Sequence, residues 1–236
     1  MNKTKTIIIV PAFNEEEVIG GTLETLIRLK QQVDHLEICV VNDGSTDNTK
    51  QIIEQYPVVQ IHLPQNLGIG GAVQTGYKYA YRNNYDIAVQ FDADGQHNAE
   101  DLFRLIRPIL NDEADMVIGS RFLTRTHYKG SKLRRIGIYY FYVILKMLTR
   151  QKFTDPTSGY RAINRNVLEI FVNRYPKDYP EPEVLIQLHK SGLRMKEIPA
   201  YMKERQGGKS SISSWRSIYY MAKVTLSIFM QKIERE

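Results

Sequence analysis

Two carboxylates one residue apart follow an apolar run, and they are the side chains of this chain best suited to chemistry. Residues 87–91 read as a buried strand, and Asp92 and Asp94 follow it directly. Gly95 can supply a turn that brings both side chains to one point, with the Gln96 amide oxygen close behind. Such oxygen ligands suit a hard divalent cation that also holds a diphosphate. An isolated Asp-x-Asp is also typical of a solvated turn, so the interpretation depends on the elements that position it.

Alternating strands and helices position these carboxylates. Pro11 ends the first strand, and Asn14 can cap a helix whose first turn is acidic. The pattern predicts strands over 6–10, 36–41, 58–63, 87–91 and 115–119, with helices after Asn14, up to about Gln55, from Asn66 through Ala80 and from about Asn98 to Leu110. This rhythm predicts an α/β fold, a doubly wound and mostly parallel sheet with helices on both faces. Ligands bind at the carboxyl ends of such strands, where Glu15 and Asp43 also fall.

Composition and charge limit the classes of protein to consider. The 236 residues can bury a full core, and the single cysteine, Cys39, excludes a disulfide framework and a cysteine-based zinc site. Residues 1–6 lead straight into the first strand, so we expect no signal peptide. No apolar run reaches the roughly 20 residues that a membrane span needs. The net charge of +6 indicates an anionic partner, which we do not expect to be nucleic acid, because no groove-reading helix or stacking platform accompanies it.

The second half of the chain combines positive charge with apolar and amphipathic helices. Residues 121–152 include nine Lys and Arg but no Asp or Glu. We predict a helix over 133–148, whose aromatic and aliphatic residues are flanked by cations, as suits a membrane headgroup boundary. A helix over 181–191 and a last helix from Ser213 follow, and the apolar stripe of the last helix is typical of a core or subunit contact. We predict one main domain over 1–211 and a C-terminal amphipathic helix over 212–236.

Two further patterns have plain structural explanations. Gly68, Gly70 and Gly71 lack the six-residue spacing of a dinucleotide-binding loop, so they indicate a tight turn and close helix packing. His97 reads as a solvated loop residue beside the acidic pair, with metal ligation as the alternative.

Several short motifs follow one another along the chain. They are Val10-Pro-Ala-Phe-Asn-Glu-Glu16, Val41-Asn-Asp-Gly-Ser-Thr-Asp47, Asn66-Leu-Gly-Ile-Gly-Gly71, Phe91-Asp-Ala-Asp-Gly-Gln96, Gly119-Ser-Arg-Phe122, Thr157-Ser-Gly-Tyr-Arg161, Glu197-Ile-Pro199 and Arg205-Gln-Gly-Gly-Lys-Ser210. In this order they resemble glycosyltransferase family 2, which has the GT-A fold. Within that family, the chain looks most like the dolichyl- or polyprenyl-phosphate sugar synthases, and the resemblance covers roughly residues 5–212.

The resemblance implies roles for the matching residues. Asp92, Asp94 and Gln96 would hold Mg²⁺ or Mn²⁺ and, through it, the diphosphate of the donor. The residues implied at the nucleotide base and ribose are Pro11, Ala12, Phe13, Glu15 and Asp43. Those implied on a mobile loop that closes over the phosphates are Arg205, Lys209 and Ser210. Arg121 and Arg135 would face the acceptor phosphate. Many relatives lack the glycine of Asp-Gly-Gln-His, which leaves the choice between the two metals open.

The chemistry of transfer favours a phosphate acceptor. A nucleoside diphosphate leaving group must be neutralised, which a cation between carboxylates achieves. A lipid phosphate is already an anion, so it needs guanidinium groups to position it rather than a strong base. A sugar hydroxyl would need a carboxylate base, for which Glu183, at a position near the active site in the family, and Glu181 are the candidates.

We therefore predict an inverting, metal-dependent glycosyltransferase that moves a sugar from a UDP- or GDP-sugar to a polyprenyl phosphate, giving a lipid-linked sugar for cell-envelope polysaccharide or glycan assembly. Two alternatives stay open: transfer to a saccharide hydroxyl, and a non-catalytic membrane-associated subunit. We expect the protein to be cytoplasmic and peripheral on the inner face of the membrane. The 133–148 helix or the last helix would then dock a small membrane protein or a second copy of the chain.

Overall fold

A mostly parallel sheet forms the centre of the molecule, as predicted. The computed structural model describes residues 4–123, 132–177, 180–201, 221 and 223–227. The strands in these ranges are β1 (Thr6–Ala12), β2 (Leu36–Asn42), β3 (Val59–His62), β4 (Ile87–Gln90), β5 (Met116–Ser120), β6 (Arg161–Asn164) and β7 (Met195–Pro199). They form one seven-stranded sheet in the order β3-β2-β1-β4-β6-β5-β7.

The strand directions place the carboxyl ends of β1, β2 and β4 on one edge of the sheet. β1 runs parallel to both β2 and β4, and β2 runs parallel to β3. β6 is antiparallel to both of its neighbours, β4 and β5, whereas β7 is parallel to β5. The start of β6 therefore lies at the same edge as the end of β4. This edge is where a ligand crevice is expected in a doubly wound sheet.

Helices cover both faces of the sheet. They are α1 (Ile19–Lys30), α2 (Thr49–Ile53), α3 (Gly68–Arg82), α4 (Leu102–Leu110), α5 (Lys132–Thr149), α6 (Arg165–Asn173) and α7 (Pro180–Lys190), with a 3-10 turn over Ala99–Asp101 before α4. Successive residues of a strand point to opposite faces, so Ile7 and Ile9 of β1 pack in one core while Ile8 and Val10 pack in the other. The first core contains buried residues of α3, α5, α6 and α7, and the second contains those of α1, α2 and α4.

The structure corrects the predicted start of the first helix. α1 begins at Ile19, and Asn14 is not its cap. Asn14 instead has φ of 53°, and its side-chain oxygen accepts a hydrogen bond from the backbone amide of Thr46 at 2.8 Å. An asparagine tolerates this left-handed conformation because its short polar side chain can bond locally. Residues 13–18 are thereby free to form a loop at the carboxyl edge of the sheet.

The glycine prediction for α3 is confirmed as close packing. A Cβ built on Gly70 would lie 2.2 Å from the carbonyl oxygen of Pro176 and 2.3 Å from that of Lys177. The Gly70 amide donates a hydrogen bond to the Lys177 carbonyl at 3.1 Å. Only a residue without a side chain allows this approach of two backbones.

The second half was predicted less completely than the first. α5 and α7 match the predicted helices, but α6 and β7 had no counterpart in the prediction. β7 lies at the edge of the sheet, and its residues are half-buried or exposed, so its sequence lacks a strong apolar signal. No helix in the described part of the chain is long and apolar enough to cross a membrane.

The described part of the last helix packs on α5 and α7. Val224 is fully buried in the core shared by these helices. The Thr225 hydroxyl lies 3.0 Å from that of Tyr140 in α5, and the Ser227 hydroxyl donates to Glu183 in α7 at 2.7 Å. Val224, Thr225 and Ser227 therefore pack on the main domain rather than projecting from it.

Candidate active site

Two loops after β1 and β2 are joined by hydrogen bonds at the carboxyl edge. The Asn14 amide donates to the Ser45 hydroxyl at 3.0 Å, and the Glu15 amide donates to the Thr49 hydroxyl at 2.8 Å. The Asn48 amide donates to the Glu16 carboxylate at 2.9 Å. These contacts, between residues more than 30 positions apart in the chain, place Glu15 on the rim beside the end of β2.

Asp43 connects three of the rim segments. It is buried, and its backbone amide donates to the Ala12 carbonyl at 2.8 Å. Its carboxylate accepts a hydrogen bond from the Leu67 amide at 2.7 Å. Burial raises the pKa of Asp43, and hydrogen bonds from the Leu67 and Gly68 amides oppose part of that rise. The predicted nucleotide residues thus lie together: Pro11 and Ala12 are buried at the end of β1, and the Phe13 ring next to them is exposed.

The acidic pair follows β4 as predicted. Gly95 has φ of 72° and forms the turn, and the Gln96 amide donates to Asp94 at 3.1 Å. The Asp92 side chain is 36% exposed and accepts hydrogen bonds from His97 Nε2 at 2.9 Å and from the Gln90 amide nitrogen at 3.4 Å. Partial burial alone would raise the pKa of Asp92, but His97, the hydrogen bond from Gln90 and the nearby Arg121 charge together hold the pKa below its usual range.

His97 is buried, so its predicted solvated position is wrong. Its ring centroid lies 5.2 Å from that of Phe91 and 4.6 Å from that of Tyr160. Since an ionised carboxylate only accepts hydrogen bonds, the 2.9 Å contact makes Nε2 the donor to Asp92. The packed ring therefore fixes the direction in which the Asp92 carboxylate points. Sequence reasoning missed this role because spacing alone does not show on which side of the turn His97 lies.

The loop over residues 154–160 passes directly behind Asp92. A Cβ built on Gly159 would lie 3.0 Å from Asp92 Oδ2 and 3.1 Å from Oδ1. Contacts closer than about 3.4 Å are tighter than most real Cβ contacts, so the glycine is what gives the carboxylate its space. The Ser158 hydroxyl donates to the Gly119 carbonyl at 2.6 Å and holds the loop against the end of β5.

Arg121 is held in a buried pair with Asp155. Its Nε and one Nη each donate to Asp155 at 2.6 Å, and its backbone amide donates to the same carboxylate at 3.0 Å. Its side chain is only 3% exposed. Arg121 was predicted to face the acceptor phosphate; in the structure its guanidinium is paired with Asp155 and is one of the groups that lower the pKa of Asp92. Asp155 was not singled out because it lies 34 residues from Arg121.

The remaining predicted catalytic residues differ in their surroundings. Arg135 is exposed on α5. Glu183 is buried in α7, and the Ser227 hydroxyl donates to its carboxylate, so this side chain has a structural contact with the last helix. Burial raises the pKa of Glu181, and Arg161 opposes part of that rise. Arg205, Lys209 and Ser210 lie outside the described residues.

The acidic pair has the donor chemistry of a divalent-cation site. Within the described ranges, no group of three or more His, Cys, Asp and Glu side chains could hold a metal ion by itself. Mg²⁺ and Mn²⁺, however, often bind one or two carboxylates and take their other ligands from substrate phosphates and water. Asp92 and Asp94 are both partly exposed at the end of β4, and the space beside Asp92 is kept clear at Gly159. The residues present therefore fit such an ion.

Comparisons with known proteins identify the family and the fold of the chain. The family model for glycosyl transferase family 2 matches residues 7–171. The UDP-N-acetylglucosamine–dolichyl-phosphate N-acetylglucosaminyltransferase of Methanococcus voltae is 34% identical over 212 residues, covering 81% of this chain and 83% of that protein. The undecaprenyl-phosphate mannosyltransferase of Micrococcus luteus is 30% identical over 223 residues, covering 89% of this chain and 88% of that protein. A crystal structure of glucosyl-3-phosphoglycerate synthase from Mycobacterium tuberculosis with Mn²⁺, UDP and phosphoglyceric acid superposes with a TM-score of 0.70 and 20% identity, covering 96% of this chain and 78% of that one.

Proposed function

The chain belongs to glycosyltransferase family 2 and has the GT-A fold, and from that premise we propose that it transfers one sugar from a nucleoside diphosphate sugar to a polyprenyl phosphate. In this reaction a phosphate oxygen of the lipid bonds to the anomeric carbon while the bond from that carbon to the diphosphate breaks. A single displacement of this kind inverts the configuration at the anomeric carbon. The nucleoside diphosphate is the leaving group.

One observation supports a polyprenyl-phosphate acceptor, namely the names of two relatives. The Methanococcus voltae and Micrococcus luteus proteins are named for transfer to dolichyl phosphate and undecaprenyl phosphate, and each covers more than four fifths of this chain. They are named for different sugars, N-acetylglucosamine and mannose, so the shared property is the lipid phosphate. The sugar and the nucleoside of the donor stay open.

Asp92, Asp94 and Gln96 are proposed to hold Mg²⁺ or Mn²⁺. When bound, the ion would neutralise charge on the leaving diphosphate. Support comes from the low pKa of Asp92, which keeps that carboxylate ionised, and from the hydrogen bond by which His97 orients it. The structural neighbour crystallised with Mn²⁺ and UDP has the same fold.

The donor and the acceptor are proposed to contact different residues around the acidic pair. Phe13, Glu15 and Asp43 would contact the base and ribose, since they share the rim at the ends of β1 and β2. Arg205, Lys209 and Ser210 would cover the phosphates. Arg135, exposed on α5, would contact the lipid phosphate, and Arg121 would add a fixed positive charge near Asp92. A phosphate acceptor requires no general base in this arrangement.

A peripheral contact with the inner face of the membrane is proposed for α5. Three of its large apolar residues are more than half exposed: Ile136 at 62%, Tyr139 at 66% and Met147 at 67%. Exposed Arg135 and Lys146 lie near the two ends of this apolar series. Apolar side chains beside cations suit an anionic headgroup region, where a lipid phosphate must be met. A small membrane protein or a second copy of the chain remains a proposed partner of the same surface.

One observation favours a second acceptor class, a saccharide hydroxyl. The raised pKa of Glu181 would make it a stronger base than an ordinary carboxylate. Glu183 is less suited to this role because its carboxylate accepts a hydrogen bond from Ser227. The two acceptor classes are distinguished by whether transfer requires the lipid.

The test combines purified protein, Mg²⁺ or Mn²⁺, a panel of UDP- and GDP-sugars and a polyprenyl phosphate in detergent. Mass spectrometry of the lipid fraction should find the lipid phosphate plus one hexose or N-acetylhexosamine. Asp92→Asn should abolish the product, and Asp86→Asn, an exposed aspartate before β4, is the matched control that should keep it. Product on a soluble saccharide without lipid would select the second acceptor class. If neither assay shows transfer, the alternative hypothesis of a non-catalytic, membrane-associated subunit would be favoured.

A further inference from the structure

Glu197, in the edge strand β7, holds the loop that passes behind the acidic pair. Its Oε2 accepts hydrogen bonds from the Thr154 amide at 2.7 Å and the Thr154 hydroxyl at 2.9 Å, and its Oε1 accepts from the Asp155 amide at 2.9 Å. One carboxylate thus satisfies two consecutive backbone amides from a segment more than 40 residues away in the chain. Packing of β7 against the sheet would not require a charged side chain at this position, so these hydrogen bonds give Glu197 a specific role.

From Asp155 the contacts lead to the fixed arginine. The Asp155 backbone is held by Glu197, and the Asp155 side chain holds the guanidinium of Arg121 at 2.6 Å through both Nε and Nη. The Thr154 hydroxyl also lies 2.7 Å from the Ser120 hydroxyl at the end of β5. The position of Arg121 is therefore set by a segment whose own position is set by β7.

The other end of the same loop sets the space around Asp92. Arg161 donates to the Ser158 carbonyl at 2.7 Å and to the Pro156 carbonyl at 2.9 Å, so the loop is rigid between Asp155 and β6. At Gly159 its backbone comes so close to Asp92 that an added Cβ would lie 3.0 Å from a carboxylate oxygen. The loop backbone at Gly159 therefore borders the space that the Asp92 carboxylate occupies, and a displaced loop would change that space.

We propose that Glu197 is a positioning residue of the transfer site, which acts on Asp92 and Arg121 through the 154–160 loop. The catalytic part of this inference rests on the proposed function. The effect of Glu197 on Asp92 is measured separately, as metal-dependent nucleotide binding. Burial raises the pKa of Glu197, and the Thr154 and Asp155 amides oppose part of that rise. The carboxylate is thus kept in a half-buried position that disfavours its charge, where its hydrogen-bond partners are the loop amides.

Glu197→Gln is the sharpest substitution. It keeps the size of the side chain but replaces one acceptor oxygen with an NH₂ group, which would face an amide N–H of the loop and cannot accept its hydrogen bond. Displacements of about 1 Å in a positioned site can cost about 100-fold in rate, and loss of a partner that orients a metal ligand costs about 10–100-fold in metal affinity. Because Glu197 acts through an intervening loop, we expect about a tenfold loss of Mn²⁺-dependent nucleotide affinity.

The experiment measures binding of UDP and of GDP by calorimetry, each with Mn²⁺ and with EDTA, using the full chain. Glu113→Gln is the matched control, because Glu113 pairs with the neighbouring Lys196 of β7 on the solvent side. Thr154→Val is a milder second variant that removes only the side-chain part of the contact, with an expected loss of about threefold. General loosening of the fold would weaken binding with and without Mn²⁺ alike, whereas a shift of Asp92 weakens only the Mn²⁺-dependent part.

The inference is upheld if Glu197→Gln and Thr154→Val both lose Mn²⁺-dependent affinity while Glu113→Gln binds as the wild type does. It is overturned if both variants bind within twofold of the wild type, or if their losses are equal in EDTA. Should Glu197→Gln fail to fold, Thr154→Val decides alone. If the wild type binds Mn²⁺ and nucleotide but makes no lipid-linked sugar, the proposed acceptor fails and the binding ratios still decide the role of Glu197. If the wild type shows no Mn²⁺-dependent nucleotide binding, the proposed metal-dependent transfer and the proposed role of Glu197 are both wrong.

Discussion

Replacing His97 with alanine tests the central contact of the site. The His97 ring is buried between Phe91 and Tyr160, and its Nε2 donates to Asp92 at 2.9 Å. His97→Ala removes both the ring and the hydrogen bond, so the Asp92 carboxylate loses the group that orients it. We expect the carboxylate to sample other rotamers and to bind Mn²⁺ less well.

The size of the effect follows from the contact. A hydrogen bond to a charged group contributes roughly 1.5–3 kcal/mol. How much of this free energy is lost from Mn²⁺ binding depends on how far the Asp92 carboxylate reorients. Loss of a partner that orients a metal ligand costs about 10–100-fold in metal affinity. Since tenfold corresponds to about 1.4 kcal/mol, the two ranges agree, and we expect Mn²⁺ to bind at least about tenfold more weakly.

The assay is a calorimetric titration of Mn²⁺ in the presence of whichever nucleoside diphosphate binds, with thermal unfolding measured in parallel. His97→Gln can still donate an N–H to Asp92 and should keep affinity within about threefold of the wild type. His62→Ala is the control, because the side chain of half-buried His62 bonds to Asn42 and Gln60 and to none of the three predicted metal ligands. A folded His97→Ala protein that binds Mn²⁺ within twofold of the wild type would refute the orienting role.

Three further predictions concern the acceptor, the possible base and stability. Arg135→Ala should raise the KM for polyprenyl phosphate about tenfold with unchanged donor affinity, because exposed Arg135 is proposed to contact only the acceptor. Glu181→Gln should keep at least about a tenth of kcat with the lipid acceptor, whereas loss of a true general base costs about 10²–10⁴-fold. Asp115→Asn should lower the free energy of unfolding by about 2 kcal/mol at pH 7, because buried Asp115 accepts hydrogen bonds from Arg194 and Asn164. Burial alone would raise the pKa of Asp115, but its interactions with Arg194 and Asn164 together outweigh burial and lower the pKa. This contribution is therefore present above the unfolded pKa of about 3.9 and is lost as pH falls through the folded value.

Each of these predictions has a result that would contradict it. If the donor affinity of Arg135→Ala fell by as much as its KM for polyprenyl phosphate rose, Arg135 would not be specific to the acceptor. A kcat loss of more than 100-fold in Glu181→Gln would favour the base and a hydroxyl acceptor. For Asp115, urea unfolding should show the difference between variant and wild type shrinking as pH falls below about 4. Asp112→Asn is the control there, since its side chain is 90% exposed although it also contacts Arg194; an equal loss in both variants would mean that burial of Asp115 is unimportant.

The local order of elements in the first half was predictable from the sequence. Apolar strands alternate with amphipathic helices there, and each signal lies within about ten residues of chain, so burial periodicity is enough to find them. The acidic turn after β4 was predictable for the same reason, because Gly95 and both carboxylates are neighbours in the chain. The edge strand β7 was missed because a half-exposed strand has no strong apolar pattern.

The sequence alone therefore determined which side chains stand at the carboxyl edge of the sheet, while the tertiary structure decided which of them are partners. Nothing in the local pattern shows that β6 runs antiparallel between β4 and β5, or that this places Gly159 against Asp92. Two sets of contacts join residues that are 34 to 43 positions apart: the pairing of Arg121 with Asp155, and the hydrogen bonds from the 154–155 backbone to Glu197. Such contacts depend on strand order and on the packing of whole elements, which residue spacing does not encode. For that reason, the sequence predicted a metal and nucleotide site, and only the fold revealed how His97, Asp155 and Glu197 contact the predicted residues and the loop beside them.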